Sequence, residues 1–442
     1  MTLNGYLVKS TIVAALGGLL FGFDTVVISG TTDALTRTFH LTSWFLGITV
    51  ASALVGTIIG AMFAGVPGDR WGRRDSLRVM AVLYLISALG SAFAWDWYAL
   101  IFFRFIGGLG IGGSSVLGPM YIAEIAPAQW RGRLVGLFQF NVVFGILLAY
   151  LSNYLIGLAA FGPAEWRWML GISALPAIGF LLLLFGIPRS PRWLVKKRRL
   201  PEAREVLRLT GEQNFEAELQ EIVVSIDAEH GHSDEPLFTR KYRVPIFLAV
   251  TIGIFNQLSG INAVLYYSSY IFLQAGFTKD SGNLQSVAIG ATNLVFTILA
   301  MSVIDRIGRK TLLLVGSIGL TLSLGGVAAV FASHRHEGML VWLLMFFIAS
   351  FAFSQGAVIW VYLSEVFPNR VRAKGQSLGS LSHWFMNAVI SLTFPRVADF
   401  SHAAPFAFFA VMMAVQFFVV LVAYPETKGV TLEQMQKKMG IA

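Results

Sequence analysis

The chain has 442 residues, of which 56% are hydrophobic and only 13% charged, with 44 glycines, no cysteine and a formal net charge of +9. A soluble domain carries charge on about a quarter of its residues, so this composition excludes an ordinary water-soluble fold. Without cysteine there is no disulfide, thiolate nucleophile or thiolate metal site, and the 7 histidines are scattered, so no metal, cofactor or enzyme chemistry is expected.

Crossing the hydrocarbon takes about 20 apolar residues, so twelve spans would use about 240 and leave roughly 200 for loops and tails. Apolar segments predict helices at roughly 9–30, 44–66, 76–94, 98–120, 132–155, 167–187, 244–275, 284–304, 311–332, 339–363, 373–395 and 403–424. They are numbered here as spans 1 to 12. The first is long enough to cross and has no small-residue cleavage site, so it is read as a retained helix. The long polar stretch at 188–243 carries Lys196, Lys197, Arg198 and Arg199, then a run from Glu202 to roughly Glu229 predicted as one helix. It reads as a basic, partly helical cytoplasmic linker. The fold class is therefore an all-α membrane protein: a six-helix bundle at 1–187, the linker at 188–243, a second six-helix bundle at 244–424 and a tail at 425–442.

Basic residues in short loops stay on the cytoplasmic side. Arg37, Arg167, Lys279, Arg335 and Arg396 fall in odd-numbered loops and Arg104 inside a span; the other 27 of the 33 flank the opposite side. Both termini are thus expected in the cytoplasm. The same distribution accounts for the positive charge by membrane-flanking loops, with no nucleic-acid partner.

An internal repeat sets the architecture. Gly68-Asp-Arg-Trp-Gly-Arg-Arg74 recurs as Asp305-Arg-Ile-Gly-Arg-Lys310; Glu124, Pro127 and Arg131 recur as Glu365, Pro368 and Arg372; Pro188-Arg-Ser recurs as Pro425-Glu-Thr, all about 240 residues apart. Two parallel six-helix repeats are the pattern of a rocking transporter with its site at mid-membrane between them. The candidate cytoplasmic gate comprises Asp69, Arg70, Arg73, Arg74, Glu124 and Arg131 in the first half and Asp305, Arg306, Arg309, Glu365 and Arg372 in the second. In one reading Glu124 and Glu365 latch these arginines in the outward-facing state; in the other the loops only anchor the chain at the membrane surface. Gly17, Gly18 and Gly22, and the cluster from Gly107 to Gly113, permit close helix packing. Gly108-x-Gly110-x-x-Gly113 is no nucleotide loop, because no strand precedes it.

Several stretches are similar to the sugar porter family of the major facilitator superfamily: Gly17-Gly-Leu-Leu-Phe-Gly-Phe-Asp24, Pro119-Met-Tyr-Ile-Ala-Glu124, Ser190-Pro-Arg-Trp-Leu194, Asn256-Gln-Leu-Ser-Gly-Ile-Asn262 and Pro425-Glu-Thr-Lys-Gly429. The resemblance covers nearly the whole chain and points to the bacterial proton-coupled branch. It implies the major facilitator fold and import of a monosaccharide of the glucose, xylose, galactose or arabinose class; the short loops and tails and the lack of an organelle address favour a bacterial inner membrane, and a monomer is expected.

A pyranose offers hydroxyls that donate and accept together with apolar C–H faces, so its site wants neutral amides and aromatic platforms. Spans 7 and 8 supply Asn256, Gln257, Asn262, Tyr266 and Asn293; spans 10 and 11 add Trp360 and Trp384. By resemblance the family's site falls on Gln139, Gln257, Asn262, Asn293 and Trp360, lined by Phe21, Tyr266 and Trp384. Any one amide could instead serve as a helix-to-helix hydrogen bond. Three positions depart from the family pattern: Asn256 for a glutamine, His383 for an amide, and Arg189 for the glutamate before Ser190. Apolar Ile146 leans the site toward a hexose.

Asp24 and Arg104 are the ionisable residues deepest within the spans, and such charges are functional by default because their desolvation is costly. Asp24 is read as the proton acceptor and Arg104 as its partner, the alternative being a static buried ion pair. By resemblance, coupled members have an acid at the Asp24 position and facilitative members an amide. The readings left open are a symporter, a uniporter of the same fold, and a sugar sensor.

Overall fold

The computed structural model describes residues 4–127, 129–211, 214–229, 235–368 and 370–430 together with 434, 435, 437, 439 and 441, the side chains of 227–229 apart. Every regular element among the described residues is helical. Seven of the spans are single helices: Arg73–Ala92, Trp97–Ile125, Arg131–Leu158, Lys279–Ile307, Arg309–Ser333, Arg372–Phe400 and Ala404–Ala423. Span 1 is Gly5–Val27 with a final 3-10 turn, and span 2 is Ser43–Phe63 followed by Gly65–Arg70. Side-chain caps start two of the long helices: Asp96 accepts from the Ala99 N–H and Thr278 from that of Ser281.

Among the described residues, 11 helices are long and apolar enough to cross a membrane. Span 11 forms the continuous helix Arg372–Phe400, but falls outside that set because its apolar residues alternate with His383, Asn387 and several serines. Spans 6, 7 and 10 are interrupted. Span 7 is three pieces, Arg243–Leu258, Ile261–Tyr266 and Ser268–Gln274; span 10 is Met339–Phe353 and Gln355–Glu365. Apolar periodicity does not show such breaks, because the pattern continues through them. The expected single helix from Glu202 to Glu229 is corrected to Leu200–Leu209 and Phe215–Glu229, preceded by Pro191–Lys196. Gly211, at φ +84, stands where the first of these ends. Linker positions 212, 213 and 230–234 lie outside the described residues. The short helix Thr32–Phe39 was not foreseen, being too polar for a span.

Packing divides the chain into two compact units that cut across spans 1, 2 and 5. The first contains the chain up to Thr25, Val55–Ala149 and the stretch from Arg167 into the linker. Its core gathers Leu7, Tyr84, Ile111, Tyr121, Phe138 and Phe180, and the linker helices add a small cluster around Trp193, Ala203, Val206 and Leu219. The second contains Val26–Leu54, Tyr150–Trp166 and the remainder of the chain, with a core around Leu248, Leu313, Val358, Tyr362 and Val420. Within it the Tyr150 hydroxyl donates to the Leu265 carbonyl at 2.7 Å, Lys279 meets Glu165 at 2.6 Å, and Ser43 and Tyr270 hydrogen-bond to Asp399.

Spans 1 and 5 touch backbone to backbone in the first unit. A Cβ on Gly22 would lie 1.9 Å from the Val142 carbonyl oxygen, and one on Gly145 would lie 2.1 Å from that of Leu19. Backbone cannot swing aside as a side chain can. Gly22→Ala should therefore force the helices apart, at a cost of about 1–3 kcal/mol. The expected result is a lower melting temperature of the detergent-solubilised protein; an unchanged one would show that the seam is looser than these distances.

Candidate binding and coupling site

The break in span 7 builds the polar cluster. Along a regular helix, residues five apart differ by about 140° in direction and do not meet. Gly260, at φ +79, ends the first piece two residues after Leu258, and the turn it makes brings Asn262 Nδ2 to 2.9 Å from Gln257 Oε1. Gln257 Nε2 in turn donates to Asn256 Oδ1 at 3.1 Å and stands 3.2 Å from the ring nitrogens of His383. The His383 ring sits between two indoles, 5.2 Å from Trp360 and 5.1 Å from Trp384. Gln257 is 1% exposed and His383 8%, while Trp360 is 39% exposed. The cluster is thus a buried chain of neutral donors and acceptors beside one open aromatic face, a combination that suits a polyol with an apolar side.

Two of the expected residues sit slightly apart. Tyr266 is buried, and its hydroxyl accepts from Asn387 Nδ2 at 3.2 Å; Asn293 accepts from Thr297 on its own helix at 3.5 Å. The motif-based reading overlooked Asn387, Gln355 and Gln416. Gln355 Nε2 donates to Gln416 Oε1 at 2.8 Å, its carbonyl accepts from Asn256, and its Oε1 is buried without a partner among the described residues. The available signal was the amide itself, since any polar side chain inside an apolar span calls for a partner.

The first unit holds Phe21, Gln139, Asp24 and Arg104. Phe21 packs against that unit's core and Gln139 is half-buried on Arg131–Leu158. Asp24 and Arg104 are 4% and 2% exposed, with Arg104 Nη1 3.5 Å from Asp24 Oδ2 and 3.2 Å from the Asp24 carbonyl oxygen. Arg104 Nε has no hydrogen-bond partner among the described residues. The pair is adjacent but loosely closed. Gly107, one turn beyond Arg104, keeps the space beside Asp24 open: a Cβ there would be 2.3 Å from Ser87 Oγ and 3.4 Å from Asp24 Oδ2.

The repeated loops form the same device twice. In the first unit Arg73 bridges Asp69 at 3.0 Å and Glu124 at 2.9 Å; in the second Arg309 bridges Asp305 at 2.9 Å and Glu365 at 2.8 Å. Gly72 and Gly308, at φ +92 and +101, make the turn that presents each arginine. Arg131 and Arg372 each donate to a carbonyl five residues back, of Ala126 and Phe367. Arg70 and Arg306 are exposed, and no ion pair involves either among the described residues.

The acid beside each device has moved. In the second unit Glu426 accepts the backbone N–H groups of Arg309, Lys310, Thr427 and Lys428 at 2.9–3.0 Å. In the first unit the corresponding residue is Arg189, which reaches Asp75 at 3.0 Å, and Asp75 also holds Arg74 and Arg78. The charge reversal at Arg189 is thus answered by an acid on span 3 itself. Partial burial opposes ionisation of Glu426, but its four backbone donors outweigh that and hold its carboxyl below the usual range. A depressed carboxyl stabilises the fold above its unfolded value, near pH 4.3, and loses that contribution as pH falls through the folded value. Glu426→Gln should lower the melting temperature at pH 7 and flatten its decline below about pH 5; an identical acid limb in both proteins would refute the assignment.

With this geometry in view, the family model described as "Sugar (and other) transporter" matches residues 10–439. The chain belongs to the sugar transporter family. This family member is 37% identical to the D-xylose-proton symporter of Escherichia coli K12, covering 98% of the chain and 96% of that protein. It is also 37% identical to the glucose transport protein of Synechocystis, over 96% of the chain and 95% of that protein. Among solved structures, the xylose transporter of Escherichia coli in a partially occluded inward open conformation matches with a TM-score of 0.87 and 36% identity, covering 97% of this chain and 100% of that one. The fold is that of the major facilitator superfamily transporters. Equal identity to a pentose carrier and a glucose carrier leaves the sugar to be decided by the pocket.

Proposed function

We propose that the chain is a proton-coupled symporter that imports a monosaccharide, hexose or pentose, by alternating access. It acts as a monomer in the bacterial inner membrane with both termini in the cytoplasm. Asn256, Gln257, Asn262, His383, Trp360 and Trp384 bind the sugar, with Tyr266, Asn293, Gln139 and Phe21 as further contacts. The Arg73 and Arg309 devices act as cytoplasmic latches in two six-helix halves, 1–187 and 244–424.

The observation that carries the coupling is the buried pair of Asp24 and Arg104. A carboxylate in this setting is tolerated while the guanidinium is 3.5 Å away, and separating the two leaves a charge whose cheapest relief is a proton. A change of conformation that moves span 1 against span 4 therefore changes the proton occupancy of Asp24. Counterflow of labelled xylose, glucose, galactose and arabinose in proteoliposomes, with external pH recorded, tests the reading. Counterflow of at least one sugar together with sugar-induced alkalinisation is expected. Counterflow without alkalinisation would make the protein a uniporter, and binding without counterflow a sensor.

A further inference from the structure

Span 7 begins at Arg243, and Arg243, Ile246, Phe247, Val250 and Thr251 recur on one face of its first piece. Together with Phe238 and Thr239 from the turn before it, they line a cleft of about 500 Å³. At 1.5 Å per residue the cleft runs about 12 Å along the helix. Its walls are hydrocarbon, and Phe238 and Phe247 are exposed, at 76% and 47%. Thr239 Oγ1 is shielded there with no hydrogen-bond partner among the described residues.

Arg243 lines the cleft, and Arg240 and Lys241 lie in the short turn just before it, between the lining residues Thr239 and Arg243. Lys241 is taken by Glu235 at 3.6 Å, and Glu235 also holds Arg370 at 3.9 Å and the Tyr242 hydroxyl at 2.7 Å. Arg240 and Arg243 are exposed and have no acidic partner among the described residues. We propose that the cleft is a binding site for an anionic phospholipid, one acyl chain lying along Ile246, Phe247 and Val250 and the phosphodiester held by Arg243 and Arg240. A polypeptide occupant would bring backbone polar groups that this wall cannot satisfy, whereas an acyl chain brings none. The uncompensated guanidinium charge selects a headgroup of net negative charge over a zwitterionic one, by about fivefold for each basic residue engaged.

The chain contains no cysteine, so Phe238→Cys labelled with bimane gives a single reporter at the cleft mouth. In phosphatidylcholine vesicles, brominated-acyl phosphatidylglycerol should quench it at about twenty-five-fold lower mole fraction than brominated-acyl phosphatidylcholine, fivefold for each of the two arginines. The same label at Ile178→Cys, on an exposed apolar face of span 6, should show little preference. Arg243→Gln should remove most of the preference and Arg243→Lys should keep it. Val250→Trp, which fills the cleft and leaves every charge in place, should remove it as well, and decides the matter if the Arg243 variants fail to fold. Equal quenching by the two lipids at Phe238→Cys, or a preference that survives Val250→Trp, would overturn the proposal.

Discussion

Asp24→Asn is expected to abolish accumulation of sugar against its gradient while leaving sugar binding and exchange intact. With one proton carried per sugar, each unit of pH difference is worth about 1.4 kcal/mol, or a tenfold concentration ratio. Wild-type proteoliposomes should therefore approach about tenfold accumulation per pH unit and the variant should reach only equality. Asparagine keeps the shape of aspartate and stays neutral at every pH, so exchange between loaded states can continue without a proton. A purely structural ion pair predicts something different. Asparagine would leave Arg104, 2% exposed, without its countercharge, and the melting temperature would fall while coupling per surviving molecule stayed normal. Uphill transport retained in Asp24→Asn would refute the coupling role.

Gln257→Ala should cause the largest loss of sugar affinity. Its amide holds half-buried Asn262 and buried Asn256 and His383 at once, so truncation strands three polar groups, two of them buried, and removes the donor and acceptor at the centre of the cluster. Leaving a buried polar group unsatisfied costs about 1–3 kcal/mol, which converts to a roughly tenfold to hundredfold weaker affinity. Isothermal titration with the transported sugar measures it directly. Affinity within a factor of two of wild type would place the sugar elsewhere. Trp360→Ala offers an independent check, because it removes the exposed aromatic face and leaves the amide chain untouched.

The course of the chain was legible where the physics is local and periodic. Twelve apolar stretches, three repeated motifs and a basic linker suffice to place the helices, since a bilayer demands long apolar helices and the sequence has nothing else long and apolar. Asp24 and Arg104 were legible for the same reason: charge inside such a stretch is conspicuous. The breaks at Gly260 and Ser354 were not, because apolar residues continue on both sides and only backbone angles distinguish a kinked span from a straight one. Nor was the partnership of Arg189 with Asp75, which are 114 residues apart. The substitution at Arg189 was visible, but its compensating acid, Asp75, lies one residue past the Gly68–Arg74 motif and nothing in the repeat singles it out. Gln355, Asn387 and Gln416 escaped because they fall outside the recognised stretches, although the rule that singled out Asn293 applies equally to them.

The seam between spans 1 and 5 and the interruptions of spans 7 and 10 assign mechanical properties to different parts of the chain. Where Gly22 and Gly145 bring carbonyls into contact with the opposing helix, there is no slack for bending, and that region must move as a stiff lever. The interrupted spans have lost successive i-to-i−4 links, so a small torque there turns side chains through a large angle. Compliance is thereby concentrated at Gln257 and Asn262, beside the ring of His383. A ligand that knits those amides together would stiffen the hinge, and amide hydrogen exchange across 258–268 should slow when sugar is added, more than anywhere along span 1.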